Sequence, residues 1–172
     1  MADALAAIAR VPGLGMITIR ADLLRAGDAL AEAAGLAIPD VTGITTDGSR
    51  SLGWMSPDEL LLILPEAERT EAQDALKQAL MGEHGLVVDV SDARAVFDVT
   101  GPRAADVIAK LAPVDAHALR QGQLRRTRVA QTAAAIWRIQ GGFRVIGFRS
   151  TADYLGLILT NAALPGTQLA PR

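Results

Sequence analysis

The apolar positions of this chain recur with two periods in turn, one suited to strands and one to helices. Met16-Ile17-Thr18-Ile19-Arg20 reads as a short strand. Asp22 then stands where a helix N-cap belongs. Leu23, Leu24, Ala26, Ala29, Leu30 and Ala33 make an apolar face up to Gly35, the expected stop. Ile38 to Arg50 is rich in Pro, Gly, Thr and Asp and predicts a loop with short extended pieces. Ser51-Leu52-Gly53-Trp54-Met55 and Glu59-Leu60-Leu61-Leu62-Ile63-Leu64 flank Ser56-Pro57-Asp58, which predicts a hairpin. The Leu60 to Leu64 run is apolar on both faces and should be a central strand. Pro65 ends it. Glu66 to Leu80 is helical, with Ala67, Ala72, Ala75, Leu76 and Ala79 inward, and Gly82 and Gly85 close that helix.

The middle of the chain, Val87 to Pro102, organises the rest. Leu86 to Val90 is a strand, and Ser91-Asp92 interrupts it with a turn or irregular crossing. Ala95, Phe97 and Val99 then alternate with Arg94, Val96 and Asp98, as in a strand covered on one face. In Thr100-Gly101-Pro102, Thr100 is the expected cap of a helix running to Leu111. Pro113 to Gln123 is a loop or short helix. Leu124 to Ala130 and Thr132 to Ile139 are strands, and Gln140-Gly141-Gly142 turns the chain into Phe143 to Phe148. Ser150 is the expected cap of a last helix, Thr151 to Ala163. Met1 to Arg10 reads as a short amphipathic helix or a loose arm, broken at Val11-Pro12-Gly13-Leu14-Gly15, and Leu164 to Arg172 as a tail.

Each half of the chain therefore runs strand, helix, loop, Trp-bearing hairpin, helix. The expectation is an α+β fold: residues 1–172 as a single domain of two similar halves, about 13–90 and 93–164, each a strand-helix-hairpin-helix unit.

Composition narrows the chemistry. With 17 basic and 19 acidic residues in 172, the net charge of −2 offers no electrostatic case for nucleic acid. Cysteine is absent, which excludes disulfides, thiolate catalysis and cysteine metal sites. The two histidines, His84 and His117, argue against a His-rich metal site and read as exposed. No apolar run approaches the ~18 residues of a membrane span. Met1 to Arg10 carries Asp3 and no basic cluster, unlike a secretory signal, so the cytoplasm is the expected location. No phosphate loop occurs, and Gly13-Leu14-Gly15 precedes its strand whereas a dinucleotide loop follows one. No nucleophile, base and orienting acid suggest themselves as a set, so no catalytic residue is assigned.

What remains are candidates for binding. Asp89, Asp92 and Asp98 are the acids available for proton transfer or a metal; the preferred structural reading has Asp92 capping a turn and pairing with Arg94, and Asp98 facing solvent. Arg120, Arg125, Arg126 and Arg128 form the densest basic group, and Arg126 and Arg128 share one face of a strand. They suit a solvated face or an acidic patch on a partner. Trp54, Met55 and Trp137 are core candidates. An exposed Trp would anchor an interface, so Trp54, Met55, Arg125 and Arg126 are the interface candidates.

Several blocks, taken in order, carry a family likeness: Gly13-Leu14-Gly15-Met16-Ile17-Thr18-Ile19-Arg20-Ala21-Asp22-Leu23, Leu52-Gly53-Trp54-Met55-Ser56-Pro57-Asp58-Glu59-Leu60-Leu61, Asp89-Val90-Ser91-Asp92-Ala93-Arg94-Ala95 with Thr100-Gly101-Pro102, then Arg126-Thr127-Arg128-Val129-Ala130-Gln131 and Phe148-Arg149-Ser150-Thr151-Ala152-Asp153-Tyr154-Leu155. Together they resemble the gamma subunit of heterotetrameric sarcosine oxidase, from Gly13 to about Ala163. That family is related to the aminomethyltransferase (glycine-cleavage T-protein) folate-binding fold. The resemblance implies a non-catalytic subunit placed against the alpha subunit, with beta and delta subunits completing the assembly. It also implies that FAD, FMN, NAD, zinc and tetrahydrofolate are held by other subunits of an enzyme that oxidatively demethylates sarcosine. A rival implication is a stand-alone folate-binding protein of one-carbon metabolism. Its pocket would draw on Glu59, Asp89 or Asp92 to hold the pterin and on Arg126 and Arg128 for the tail. A third reading is an α+β domain with an unrelated partner.

Overall fold

The computed structural model describes residues 4–169. The ends of the expected N-terminal segment and C-terminal tail, 1–3 and 170–172, lie outside the described residues. The chain divides into two compact units. The first is Gly13–Asp92. The second is built from the chain before Gly13 and the chain from Ala93 onward.

The first unit runs β2 (Leu14–Ala21), α1 (Leu23–Ala34), β3 (Ile44–Asp47), β4 (Arg50–Ser56), β5 (Glu59–Pro65), α2 (Arg69–Ala79) and β6 (Gly85–Asp89). Its strands form one antiparallel sheet in the order β3-β4-β5-β2-β6. Central β5 is buried from Leu60 to Leu64, as its unbroken apolar run predicts. Leu60, Leu62 and Leu64 join Ile17, Ile19, Leu30 and Leu76 in the cluster beneath α1 and α2. Asp22 caps α1 by accepting the Leu24 N–H at 3.0 Å, and Gly35 stops it by donating to the carbonyls of Ala31 and Glu32. Leu24 does not face inward, as the apolar pattern suggests, but is 100% exposed. The buried positions are Ala26, Leu30 and Ala34, and a residue two before Ala26 falls on the opposite side of a 3.6-residue helix.

The second unit runs β7 (Arg94–Thr100), α3 (Ala104–Leu111), β8 (Leu124–Val129), β9 (Thr132–Ile139), β10 (Gly142–Phe148) and α4 (Ala152–Ala162). With β1 (Ala7–Arg10) its strands form an antiparallel sheet in the order β1-β7-β10-β9-β8. Element for element this is the order of the first unit, with β1 in the place of β6. Phe97, Val99, Ile136, Phe143 and Val145 pack with Val107, Ile108, Leu155 and Leu159 of its helices.

Strand β1 (Ala7–Arg10) corrects the reading of the N-terminal segment as a helix or loose arm. It pairs antiparallel with β7, from Ala7 opposite Thr100 to Arg10 opposite Phe97. Leu5 and Ala6 are buried, and Ile8 packs on the same core. The first unit closes this edge with a strand that follows its last helix. The second takes the equivalent strand from the other end of the chain, a pairing that no local pattern carries.

Two expected caps are not used. Thr100 remains in β7; Gly101 turns at a φ of 136°, and α3 begins at Ala104 with no side-chain cap. Ser150 lies in a 3₁₀ turn, Arg149–Thr151, that leads directly into α4. In both places a turn set by tertiary pairing supplies the first bonds, such as Ala104 N–H to the Gly101 carbonyl.

Candidate functional site

In the first unit the crossing at Asp89-Val90-Ser91 is a polar knot. The Asp89 carboxylate accepts the Ser91 N–H at 2.9 Å and the Ser91 hydroxyl at 2.6 Å, and it lies 3.3 Å from Arg69 Nε. Ser91 Oγ in turn accepts the Met16 N–H. Partial burial pushes the Asp89 carboxyl upward, but the two Ser91 bonds and Arg69 outweigh it, and the group sits below the usual carboxylate range. Asp89 therefore ties β6, α2 and the turn together. Asp92 falls within the next 3₁₀ turn, Ser91–Ala93. Glu59 opens β5, opposite Arg20.

At the other end of β6 lies an open groove of about 1070 Å³, bounded by the start of α1, the β4–β5 turn and the loop before β6. Two ion pairs cross it. Arg20 bonds Asp58 at 2.8 Å and Arg25 bonds Glu83 at 3.1 Å. Bonds from the Ser56 hydroxyl and Arg20 hold Asp58 below the ordinary carboxylate range. His84 stands on the wall, exposed as expected. Among the described residues no Phe, Tyr or Trp lines the groove, Asp22 is occupied as a helix cap, and the other acids already hold arginines. A pterin needs a ring to stack on and a carboxylate to pair with, so this groove does not suit one. Trp54 is half-buried against the cluster under α1, while Met55 is buried.

The second unit brings together groups that the sequence leaves scattered. Asp98 and Arg144, opposed in register across β7 and β10, form a two-pronged pair at 2.7 and 2.9 Å. Asp98 is thus half-buried and paired, not the solvent-facing acid expected from alternation alone. Arg138 donates to the carbonyls of Leu119 and Ala116 and covers the Phe143 ring, which fastens the loop before β8. Asp106 takes Arg103 Nε at 2.7 Å and His117 Nε2 at 3.0 Å, and these bonds, Arg103 first, hold its carboxyl low. Eleven residues separate Asp106 from His117, so only the turn at Pro113 could have hinted at the pair. Trp137 is buried at 3% exposure.

Charge is divided between the units in a way the near-neutral total hides. The first has 5 basic and 14 acidic residues, a net −9; the second has 12 and 5, a net +7. Arg126 and Arg128 lie on one face of β8, opposite Ala135 and Ala133, with Arg125 on the other. Arg125 donates to the Leu124 carbonyl and Arg128 to the Ala130 carbonyl. Among the described residues no group of three or more His, Cys, Asp or Glu could hold a metal ion, and no helix is long and apolar enough to cross a membrane.

The model of the "Sarcosine oxidase, gamma subunit family" matches residues 21–164. The chain belongs to this family. The sarcosine oxidase subunit gamma of Corynebacterium sp. (strain P-1) is 36% identical over 115 residues, which is 64% of this chain and 55% of that protein. That of Arthrobacter sp. is 35% identical over 114 residues, with the same shares. The chain thus spans about half the length of the curated relatives it matches. Of solved structures, the heterotetrameric sarcosine oxidase of Corynebacterium sp. U-96, in complex with pyrrole 2-carboxylate, contains a chain that superposes with a TM-score of 0.86. The match is 27% identical and covers 97% of this chain and 88% of that one. The glycine cleavage system aminomethyltransferase T of Bartonella henselae follows at a TM-score of 0.69 and 16% identity, over 92% of this chain and 46% of the other. That likeness gives the fold alone, and it agrees with the fold expected from sequence.

For a gamma-subunit family member, the bonding described above is informative. The acids considered for chemistry at the crossing and in β7, Asp89 and Asp98, are engaged in holding turns and strands together. The matched range also takes in the Trp54 hairpin, the Asp89 crossing and the arginine strand, three of the blocks on which the resemblance rested.

Proposed function

We propose that this chain is the gamma subunit of a heterotetrameric sarcosine oxidase and that its role is structural. It packs against the other subunits, alpha most directly, and stabilises them in the cytoplasm. The complex demethylates sarcosine oxidatively to glycine with hydrogen peroxide, and passes the one-carbon unit to tetrahydrofolate. The flavins, NAD, zinc and folate are held by the other chains. The observation that carries this reading is the superposition over 97% of the chain on a member of such an assembly, at a TM-score of 0.86. The bonding of Asp89, Asp98 and Asp106 supports it, since each carboxylate serves a turn, a strand pair or a helix.

The test is omission. The other three subunits are co-expressed with and without this chain, and yield, stoichiometry and sarcosine-dependent peroxide formation are measured. Loss of assembly or of thermal stability without the chain is expected. Full and stable activity without it would sink the proposal. Titration of the isolated chain with tetrahydrofolate is expected to show no binding at millimolar ligand; saturable binding would favour a folate-binding protein in its own right.

A further inference from the structure

The end strands of the two sheets are not alike. β3 carries Thr45, Thr46 and Asp47, β8 carries Arg125, Arg126 and Arg128, and β1 exposes two alanines and Arg10. Charged or small side chains on an end strand keep foreign strands away. β6 has no such guard: between Gly85 and Asp89 it has only Leu86, Val87 and Val88. Among the described residues its one strand neighbour is β2, so its other side is open. Val87 packs on the cluster beneath α1 and α2. Leu86 and Val88 therefore point to the opposite face of the sheet, and both are exposed. The one acid of the strand, Asp89, is taken up by Ser91 and Arg69.

The apolar surface does not stop with the strand. Leu86 also lines the groove at that end of β6, together with exposed Leu24 and Pro57. Exposed Met81 lies in the loop that leads into β6. Large apolar side chains grouped in this way mark surfaces that bind. An open backbone edge calls for an extended occupant, and charge says which kind. The first unit is net −9, and Arg20, Arg25, Arg50 and Arg69 are each held by a carboxylate within it. α2, which packs on β6, exposes Glu71 and Asp74.

We propose that β6 is a docking edge for an extended, basic segment of a partner subunit. The segment's backbone continues the sheet beyond β6. Its alternate residues are apolar and lie on Leu86 and Val88, and a further apolar side chain enters the groove beside Leu24. A lysine or arginine on it answers the acids of α2. This rests on the subunit reading above and names the chemistry of one contact within it.

The test uses the full chain, tagged and co-expressed with the other three sarcosine oxidase subunits. Three variants are compared with it: L86K/V88K, which puts a guard on the edge; T46K, which puts one on β3; and E71Q/D74N, which removes charge from α2. Capture is measured at about 0.05 and 0.5 M salt, because exposed charges are screened over that range. L86K/V88K should recover roughly tenfold less partner and T46K as much as the unmodified chain. E71Q/D74N should recover roughly threefold less at low salt, with the difference gone at high salt. Thermal unfolding of each isolated variant should match the unmodified chain, since every changed side chain is exposed. Should L86K/V88K unfold early, L86T/V88T, which keeps strand preference, takes its place and should also lose partner.

Undiminished recovery by the edge variant overturns the docking edge and leaves the subunit reading intact. Equal loss with T46K overturns it too, because any added lysine would then suffice. Undiminished recovery by E71Q/D74N at low salt overturns the basic segment. An isolated chain that sediments as a dimer, and as a monomer once L86K/V88K is introduced, with capture of the subunits unchanged, makes the occupant a second copy and also overturns the proposal. Failure of the unmodified chain to assemble overturns the subunit reading and this inference with it.

Discussion

At the scale of single residues, close approach and pairing decide what can be changed. Gly142 opens β10 where a Cβ would stand 2.0 Å from the Val99 carbonyl oxygen and 2.9 Å from Thr100 Cα. Gly142→Ala must push two central strands apart. It is expected to destabilise the chain by about 3 kcal/mol or more, read from urea unfolding. Asp89 gives a pH-dependent counterpart. Its carboxyl sits below the normal range in the folded chain, so its contribution is fully present above the unfolded value of about 4 and is lost as pH falls through the lower, folded value. Asp89→Asn should cost about 1 kcal/mol at pH 7, discounted for partial exposure, and progressively less below pH ~4. Unfolding of both proteins at pH 7 and pH 3 checks the sign. A cost that is the same at both values would show that the carboxylate charge does not matter there.

At the scale of elements, caps and edges carry the argument. Asp22→Ala removes the acceptor for the Leu24 N–H and should cost about 1 kcal/mol. Ser150→Ala should cost little at the start of α4, because Ser150 makes no cap there and the 3₁₀ turn feeds the helix instead. Measuring both by thermal unfolding separates the used cap from the unused one. The cross-strand pair of Asp98 and Arg144 joins β7 to β10. Asp98→Asn strands a half-buried guanidinium and should cost about 2 kcal/mol, less than the breaking of a fully buried pair. The two units also differ where their elements correspond. The outer face of α2 is polar, with Thr70, Glu71, Asp74, Lys77 and Gln78 exposed. The outer face of α4 exposes Tyr154 and Leu157 beside Asp153, Thr160 and Asn161. Divergence of matching surfaces on a repeated core is expected where only the packed face is held constant by the fold.

For the whole molecule, the N-terminal strand is the sharpest test of the architecture. Removing residues 1–12 takes β1 from the β7 edge and strips Leu5, Ala6 and Ile8 from the second core. The shortened chain should unfold roughly 10 °C lower and scatter light on warming, because an open β7 edge is a template for pairing. An unchanged melting curve would mean that β1 adds nothing to the second unit. The charge division belongs to this scale as well. A bulk charge of −2 argued correctly that the total is near neutral, yet it concealed units of −9 and +7.

Local chemistry made much of the fold legible. The apolar runs and turn residues marked β2, β4, β5 and the strands of the second half. Asp22 and Gly35 marked the limits of α1, and the recurrence of strand, helix, hairpin and helix marked the duplication. These follow from side-chain period, backbone freedom and capping, which act within a few residues. Tertiary structure decided the rest, because it depends on partners distant in sequence. It made Ala7–Arg10 a strand by laying them against β7. It set Asp98, half-buried, beside Arg144, paired Asp106 with His117, and turned Leu24 outward. It also left the arginines of β8 on a sheet edge. An edge, an opposed register and a cross-strand ion pair are relations between segments, and no segment alone contains them.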